Sequence, residues 1–258
     1  MSLPEVTLVR LELSEANAEI GLWPVDLLIA VGGDGTFLTT ARIAAAHGLK
    51  MIGVLVPVRP ESKPFLPDIE LGQLADWLTA LRTKGLTGRH VRQEHRHYLK
   101  ASINDGPTYL AVNEVSMGRG GMHGTVTVDA RICEAFKACR RVVRVRADLT
   151  MIASATGSTG YALSTGGPIL HPEEARVVLT HAAPIGFGHR PLVLPGKYSV
   201  ELELISAEEA SVSFDCQNEI SVVPGDVVRI ARGFTYTVLR SPSWCFFERA
   251  RDVLNWGR

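Results

Sequence analysis

"VDLLIAVGGDGTFL", residues 25–38, runs an apolar segment straight into two glycines, an aspartate, a third glycine and a threonine. Asp26 to Val31 reads as a parallel strand buried on both faces, a short apolar run bounded by Pro24 and by glycines. In α/β sheets, ligands bind beyond the carboxyl ends of the strands, and Gly32, Gly33, Asp34, Gly35 and Thr36 occupy such an end just before a helix. Glycines there let backbone N–H groups approach a phosphate with no Cβ in the way, and a helix N-terminus favours an anion. Asp34 needs a different task, because a carboxylate repels phosphate; orienting a hydroxyl or a metal would suit it. A Walker A loop is excluded, since Phe37 and Leu38 stand where it needs Lys and Ser/Thr. The structural alternative is a tight turn with Asp34 as the helix N-cap.

Outward from this stretch the chain alternates strand and helix. "FLTTARIAAAHG" predicts a helix stopped by Gly48, and "MIGVLVPV" (residues 51–58) the next strand. "DIELGQLADWLTALRTKG" places Leu71, Leu74, Leu78 and Leu81 at helical spacing and ends at Gly85. Together these make an α/β unit with a parallel sheet. After about residue 88 the texture changes to short alternating runs such as "SVELELI", "ASVSFDC" and "DVVRIARG". "NDG" at Asn104 to Gly106 is a hairpin turn and "PGD" at Pro224 to Asp226 another turn signal. This part reads as mainly β, and "FFERARDVLNWG" as a terminal helix.

Two more stretches carry chemistry. Ser154 to Pro172, "SATGSTGYALSTGGPILHP", is dense in Ser, Thr and Gly, and reads as a loop-helix-loop lining a polar ligand site, anchored by Tyr161, Leu163 and Ile169. In "VNEVSMGRG" the pair Asn113 and Glu114 sits late in a strand. Alternation sends their side chains to opposite faces unless a bulge or strand end intervenes; an amide and a carboxylate suit the vicinal hydroxyls of a ribose.

Composition narrows the class. The 258 residues are 46% hydrophobic and 21% charged, and 27 basic residues balance 27 acidic ones. Such a chain is a globular protein with no net field toward nucleic acid or an anionic membrane. No signal peptide or long uncharged apolar run is evident, so no membrane partner is expected, and the sparse cysteines make a reducing cytoplasm the expected home. Cys133, Cys139, Cys216 and Cys245 show no metal-binding spacing and are too few for a disulfide scaffold. No metal site is assigned: His95 and His97 share a strand face by alternation, with no further ligand nearby. "RRVVRVR" (Arg140 to Arg146) reads as the charged outer face of a strand.

Taken together, the GGDGT stretch, "ATGSTGYALSTGGPILHP" and "NEVSMGRG" resemble the NAD kinase family. "HRPLVLP" (His189 to Pro195), "FDCQ" with "PGDVVRI", and "FERARDVLNWG" extend the likeness over about residues 26 to 257. The resemblance implies an N-terminal α/β domain with a parallel sheet, a C-terminal mainly-β domain, and a last helix returning to the first. The domains would then be residues 1–87 with 240–258, carrying GGDGT, and residues 88–239, binding NAD. The implied reaction is phosphorylation of the 2′-hydroxyl of the adenosine ribose of NAD, giving NADP, with ATP or inorganic polyphosphate as donor and Mg²⁺ as cofactor. Asp34 would be the catalytic acid, with Gly32, Gly33, Gly35 and Thr36 on phosphate. Asn113, Glu114, Thr156, Thr159, Gly160, Tyr161 and Ser164 would bind NAD, and Asp148 its nicotinamide end. Relatives assemble as dimers or tetramers, so a homodimer or homotetramer is implied. Four features depart from the family pattern. The loop G-x-N-x-G-x-x-G-F-L becomes "VLVPVRPESKPFLPD" after Gly53, G-D-G becomes "ADL" around Asp148, and D-G-Q becomes Asp215-Cys216-Gln217. Only about 30 residues precede the glycine motif, which leaves the family's first strand and helix shortened or missing. The alternative is a catalytically weak or inactive nucleotide-binding relative. A lipid kinase sharing only the glycine motif fits less well, because the long signature is that of NAD kinases and no apolar groove for an acyl chain is evident.

Overall fold

A computed structural model describes residues 27–55, 63–85, 89–121, 124–134, 138–186 and 188–257. The expectation of a shortened first strand and helix concerns residues outside that set. In chain order the elements are β1 (Leu27–Gly32), α1 (Asp34–His47), β2 (Lys50–Leu55), β3 (Ile69–Glu70), α2 (Leu74–Lys84), β4 (Arg92–Ile103), β5 (Thr108–Ala111) and β6 (Glu114–Arg119). There follow β7 (Val126–Cys133), β8 (Arg140–Ala147), β9 (Leu149–Ala153), α3 (Tyr161–Ser164), β10 (Val177–Ala182) and β11 (Leu192–Leu194). The chain ends with β12 (Ser199–Ser206), β13 (Ala210–Phe214), β14 (Asn218–Val222), β15 (Val227–Arg240) and α4 (Phe246–Val253). The chain divides into two compact units: one runs through His95 and resumes over Tyr236–Arg258, the other is Arg96–Thr235. Each break falls inside a long strand, β4 or β15, rather than at a linker.

The first unit is the parallel α/β element expected from the sequence. β1 pairs with β2 from Leu27↔Lys50 to Gly32↔Leu55, and β2 pairs in parallel with β3 and with the end of β15. Leu27, Ile29, Ile52, Val54, Ile69, Leu81 and Leu239 form its core. Each such side chain contributes on the order of 1.5–3 kcal/mol by leaving water. α1 starts one residue after β1, with Gly33 as N-cap, so Asp34 is the first helical residue and makes no cap bond. Helix and glycine motif therefore overlap; the motif does not precede the helix, and the N-cap alternative for Asp34 is corrected. Gly53 is fixed by packing: a Cβ there would sit 2.7 Å from the Phe37 ring and 2.9 Å from the Pro67 Cα. Leu71, expected on the buried face of a helix, lies in a 3-10 turn before α2 and is exposed.

A buried charge cluster closes this core. Arg240 is fully buried and donates to Glu94 Oε1 (3.1 Å), Asp68 Oδ1 (3.0 Å) and the Leu66 carbonyl (2.6 Å). Its guanidinium lies 4.3 Å from the Trp244 ring centre, so the face left by the hydrogen bonds is covered by an aromatic.

The second unit is mainly β, as expected. One of its layers has strand order β15-β12-β7-β8, with β4 and β5 attached beside β15; the other has order β11-β10-β9-β6-β13-β14. Burial alternates along β12, where Val200, Leu202 and Leu204 are buried between the half-buried Ser199, Glu201, Glu203 and Ile205. They join Val128 and Val228 of their own sheet and Val115, Met117, Ile152, Leu179 and Phe214 of the other in one core. β8 carries its arginines outward as read from sequence: Arg144 and Arg141 reach Asp129 at 2.6 and 3.5 Å. Cys133 and Cys139 are joined across the end of the β7–β8 hairpin by a single disulfide, not a scaffold. His95 and His97 make hydrogen bonds to Thr237 and Arg232, respectively. No helix among the described residues is long and apolar enough to cross a membrane.

The buried cluster generates a test. Arg240→Met should lower the unfolding free energy by about 3–5 kcal/mol, because Glu94 and Asp68 stay buried without their partner. Urea denaturation measures it, and a loss below about 1 kcal/mol would contradict the assignment.

Candidate functional site

The glycine motif builds a carboxylate held by main chain. Gly32 ends β1, Gly33 caps α1, and Gly35 and Thr36 lie in its first turn, where the positive end of the helix dipole favours an anion. The Asp34 carboxylate accepts the Phe65 N–H at 2.9 and 3.1 Å on its two oxygens, and the Leu66 N–H at 2.7 Å. Charge-assisted bonds of this kind fix an oxygen pair far more tightly than water does. The altered loop after Gly53 thus delivers Phe65 and Leu66 to Asp34. Arg249 of α4 is half-buried; burial lowers its pKa and the nearby Asp34 charge opposes that shift.

In the second unit a second aspartate organises the main chain. Asn113 lies in a bend between β5 and β6, and Glu114 opens β6, so the pair sits at a strand start and not late in a strand. Asp215, nearly buried, accepts the N–H groups of Val112, Asn113 and Glu114 at 2.7 to 3.2 Å. It reaches them from the turn between β13 and β14, where Asp215 and Cys216 both take left-handed φ, 54° and 53°. Where the family pattern has glycine, Cys216 accepts a strain of about 1–2 kcal/mol and sets its thiol 3.6 Å from Glu114 Oε1.

The Ser/Thr/Gly stretch packs onto this bend. A Cβ on Gly157 would fall 2.1 Å from the Asn113 carbonyl oxygen, so only glycine fits, and one on Gly160 would touch the Asn113 amide nitrogen at 3.0 Å. Ser154 Oγ donates to the Val112 carbonyl at 2.6 Å and accepts the Gly157 N–H at 3.1 Å. Thr159 donates to the Thr156 carbonyl at 3.0 Å. The loop-helix-loop is present as a 3-10 turn (Gly157–Thr159) followed by α3. Tyr161, expected as an anchor, is 41% exposed instead, and Ala162 takes the buried place. Ser164 is also exposed.

Three buried oxygens in this cluster have no hydrogen-bond partner: Asn113 Oδ1, Glu114 Oε2 and Thr156 Oγ1. Leaving such groups unpaired costs about 1–3 kcal/mol each, so together they mark a place where a polar ligand belongs. Glu114 is 3% exposed; burial, with the Asp215 charge behind it, raises its pKa to about 7. Asp148 is not brought to this cluster. It joins β8 to β9 beside Arg119, 3.4 Å away, at the far end of the β6–β9 ladder from Glu114. Four ladder positions at ~3.3 Å each separate Glu114 from Gly118, about 13 Å along the strand.

Sequence reasoning passed over Ser154, Asp215 and Arg249 as working residues. All three lay inside quoted motifs, but their partners, Val112 to Glu114 and Pro64 to Pro67, are distant in sequence. Among the described residues the group of three close metal-ligand side chains is Cys133, Cys139 and Glu201, and two of those sulfurs are used in the disulfide.

Comparison with known proteins agrees with this architecture. The family model for the ATP-NAD kinase C-terminal domain matches residues 58–239. An NAD kinase of Methylibium petroleiphilum is 34% identical over 240 residues, covering 90% of this chain and 75% of that protein. One of Cupriavidus pinatubonensis is 35% identical over 236 residues, covering 90% and 73%. Among solved structures, yeast NADH kinase complexed with NADH superposes with a TM-score of 0.77 at 20% identity, covering 90% of this chain and 66% of that one. An NAD kinase from Archaeoglobus fulgidus in complex with ATP gives 0.67 at 23% identity, covering 90% and 82%. With its glycine motif, its Ser/Thr/Gly signature and relatives of this identity over most of its length, the chain belongs to the NAD kinase family.

Proposed function

We propose that this protein phosphorylates the 2′-hydroxyl of the adenosine ribose of NAD, giving NADP, with ATP or inorganic polyphosphate as donor. The observation that carries the reading is the Asp34 carboxylate, held at a helix start by two backbone amides. In a loose phosphoryl-transfer transition state the attacking hydroxyl needs alignment more than early deprotonation. A carboxylate locked in place supplies that alignment and accepts the proton late, as the phosphorus–oxygen bond forms. Gly32, Gly33, Gly35 and Thr36 receive donor phosphate at the helix dipole. The three partnerless oxygens of Asn113, Glu114 and Thr156 support a nucleotide in the second unit, with Thr159, Gly160, Tyr161 and Ser164 along the same stretch. Asp148, at the far end of the ladder, is assigned to the nicotinamide end. Mg²⁺ carried on the donor phosphates would balance their charge. Residues 1–87 with 240–258 are assigned to donor and acid, and residues 88–239 to NAD. We place the enzyme in the cytoplasm as a homodimer or homotetramer. Against the reading of an inactive relative stands the altered loop itself, which supplies two amides that hold the Asp34 carboxylate.

The test is NADP formation from NAD and Mg²⁺ with either donor, run beside Asp34→Asn. The variant should lose about 10²–10⁴-fold in kcat while calorimetry shows NAD binding within about 3-fold of wild type. Full activity in Asp34→Asn, or no NADP from the wild type with either donor, would sink the proposal.

Glu114 gives a pH signature. Because its folded pKa lies above the unfolded value, the folded protein holds a proton that the unfolded chain releases between about pH 4.5 and 7. Wild-type stability should therefore fall relative to Glu114→Gln as pH rises through that window, by on the order of 1 kcal/mol per pH unit, and level off above it. Thermal melts of both proteins from pH 5 to 8.5 read this directly; parallel curves would show that Glu114 ionises normally.

A further inference from the structure

The segment Pro64-Phe65-Leu66-Pro67 has few backbone donors, because both flanking prolines lack an N–H. Its two N–H groups, on Phe65 and Leu66, both go to the Asp34 carboxylate. The four carbonyls go to two arginines. Arg249 donates to Pro64 at very short range, to Phe65 at 3.3 and 3.4 Å and to Pro67 at 3.3 Å, while Arg240 takes Leu66 at 2.6 Å. The pairing is peptide by peptide. The Pro64 carbonyl and the Phe65 N–H belong to one amide plane, and the Phe65 carbonyl and Leu66 N–H to the next. Arg249 therefore grips the oxygen side of the same two planes whose nitrogen side grips Asp34. A cation on the carbonyl polarises the amide and strengthens its N–H as a donor. The helix that carries Arg249 is seated by Phe246, whose ring meets Phe65 edge-on at 6.0 Å.

From this geometry we propose that Arg249 is a positioning residue for Asp34: it fixes the orientation of the two peptide groups that hold the Asp34 carboxylate. The proposal rests on the kinase reading for its catalytic consequence, but the clamp itself does not. Arg249 spends its hydrogen bonds on the carbonyls of Pro64, Phe65 and Pro67, so its loss should act on kcat through Asp34 and leave the residues assigned to NAD in the second unit alone.

The experiment compares wild type, Arg249→Lys, Arg249→Ala, Asp34→Asn and the double variant Asp34→Asn/Arg249→Ala. Lysine keeps the charge but offers a compact point donor in place of a planar fork, so it should restore only part of the loss. Expected for Arg249→Ala is a fall in kcat of about 10–100-fold with KM for NAD within about 2-fold, and no further fall when it is added to Asp34→Asn. Losses that multiply in the double variant, or a rise in KM with kcat unchanged, would overturn the proposal. A second readout is independent of activity: amide hydrogen exchange at Phe65 and Leu66 should speed up by about 10-fold or more in Arg249→Ala, and in Arg249→Lys to a smaller extent. Unchanged exchange at both amides overturns the clamp even if activity falls. If Arg249→Ala does not fold, Arg249→Lys carries both measurements. A wild type that forms no NADP defeats the kinase reading alone, and the exchange result still decides the clamp.

Discussion

The first unit depends on how one carboxylate is shared with the main chain. Asp34 stands at the start of α1, where its own helix offers it no cap bond, and its charge is satisfied by amides 31 and 32 residues further on. That arrangement imposes conditions on everything around it. The loop must approach β2 closely, which is why Gly53 meets Phe37 and Pro67 with no room for a methyl group. Its carbonyls, turned away from Asp34, must find donors in a dry place, and the arginines of β15 and α4 supply them. Arg240 in turn is tolerable in the core only because Glu94 and Asp68 share its charge. Core packing, buried ions and the seating of the Asp34 carboxylate are thus solutions to one problem, the placement of two peptide planes.

The second unit repeats the device with different parts. Asp215 reaches back about a hundred residues to gather three consecutive amides at the bend before β6. Hydrogen bonds to a charged group are worth about 1.5–3 kcal/mol each, enough to hold a bend that would otherwise straighten into strand. Holding it has a chemical result: the amides turn inward to Asp215, while Asn113 and Glu114 keep side-chain oxygens unspent. Burial, with the Asp215 charge behind it, also raises the Glu114 pKa to about 7.

Much of this was legible in the sequence because local patterns carried it. The apolar run before Gly32, the alternation of "SVELELI" and the turn signals at Asn104 and Pro224 each follow from spacing alone. The Ser/Thr/Gly stretch identified the family and marked a polar site. Hidden from such reading were the interactions between residues far apart in the chain. Nothing near Asp34 announces Phe65 and Leu66, and nothing in "FERARD" tells Arg249 from Arg251. Tyr161 misled because an aromatic in a polar stretch is a natural anchor, yet the short helix turns it outward and buries Ala162. Leu71 misled because helical spacing extended past the point where a strand and a 3-10 turn interrupt it. The loop after Gly53 read as a lost motif, although its main-chain amides could serve with most side chains changed.

The turn that carries Asp215 has a consequence for biogenesis. β13 and β14 are late in the chain, and the ladder Ala210↔Val222 to Phe214↔Asn218 sets where the turn residues fall. A slip of one residue in that pairing would swing the carboxylate to the other face of the hairpin and release the bend 100 residues upstream. The bend at Val112 to Glu114 is therefore held only once β13 and β14 have paired in register. A chain mispaired there would leave the amides of Val112, Asn113 and Glu114 without their carboxylate, so the order of that bend reports the register of a hairpin far downstream.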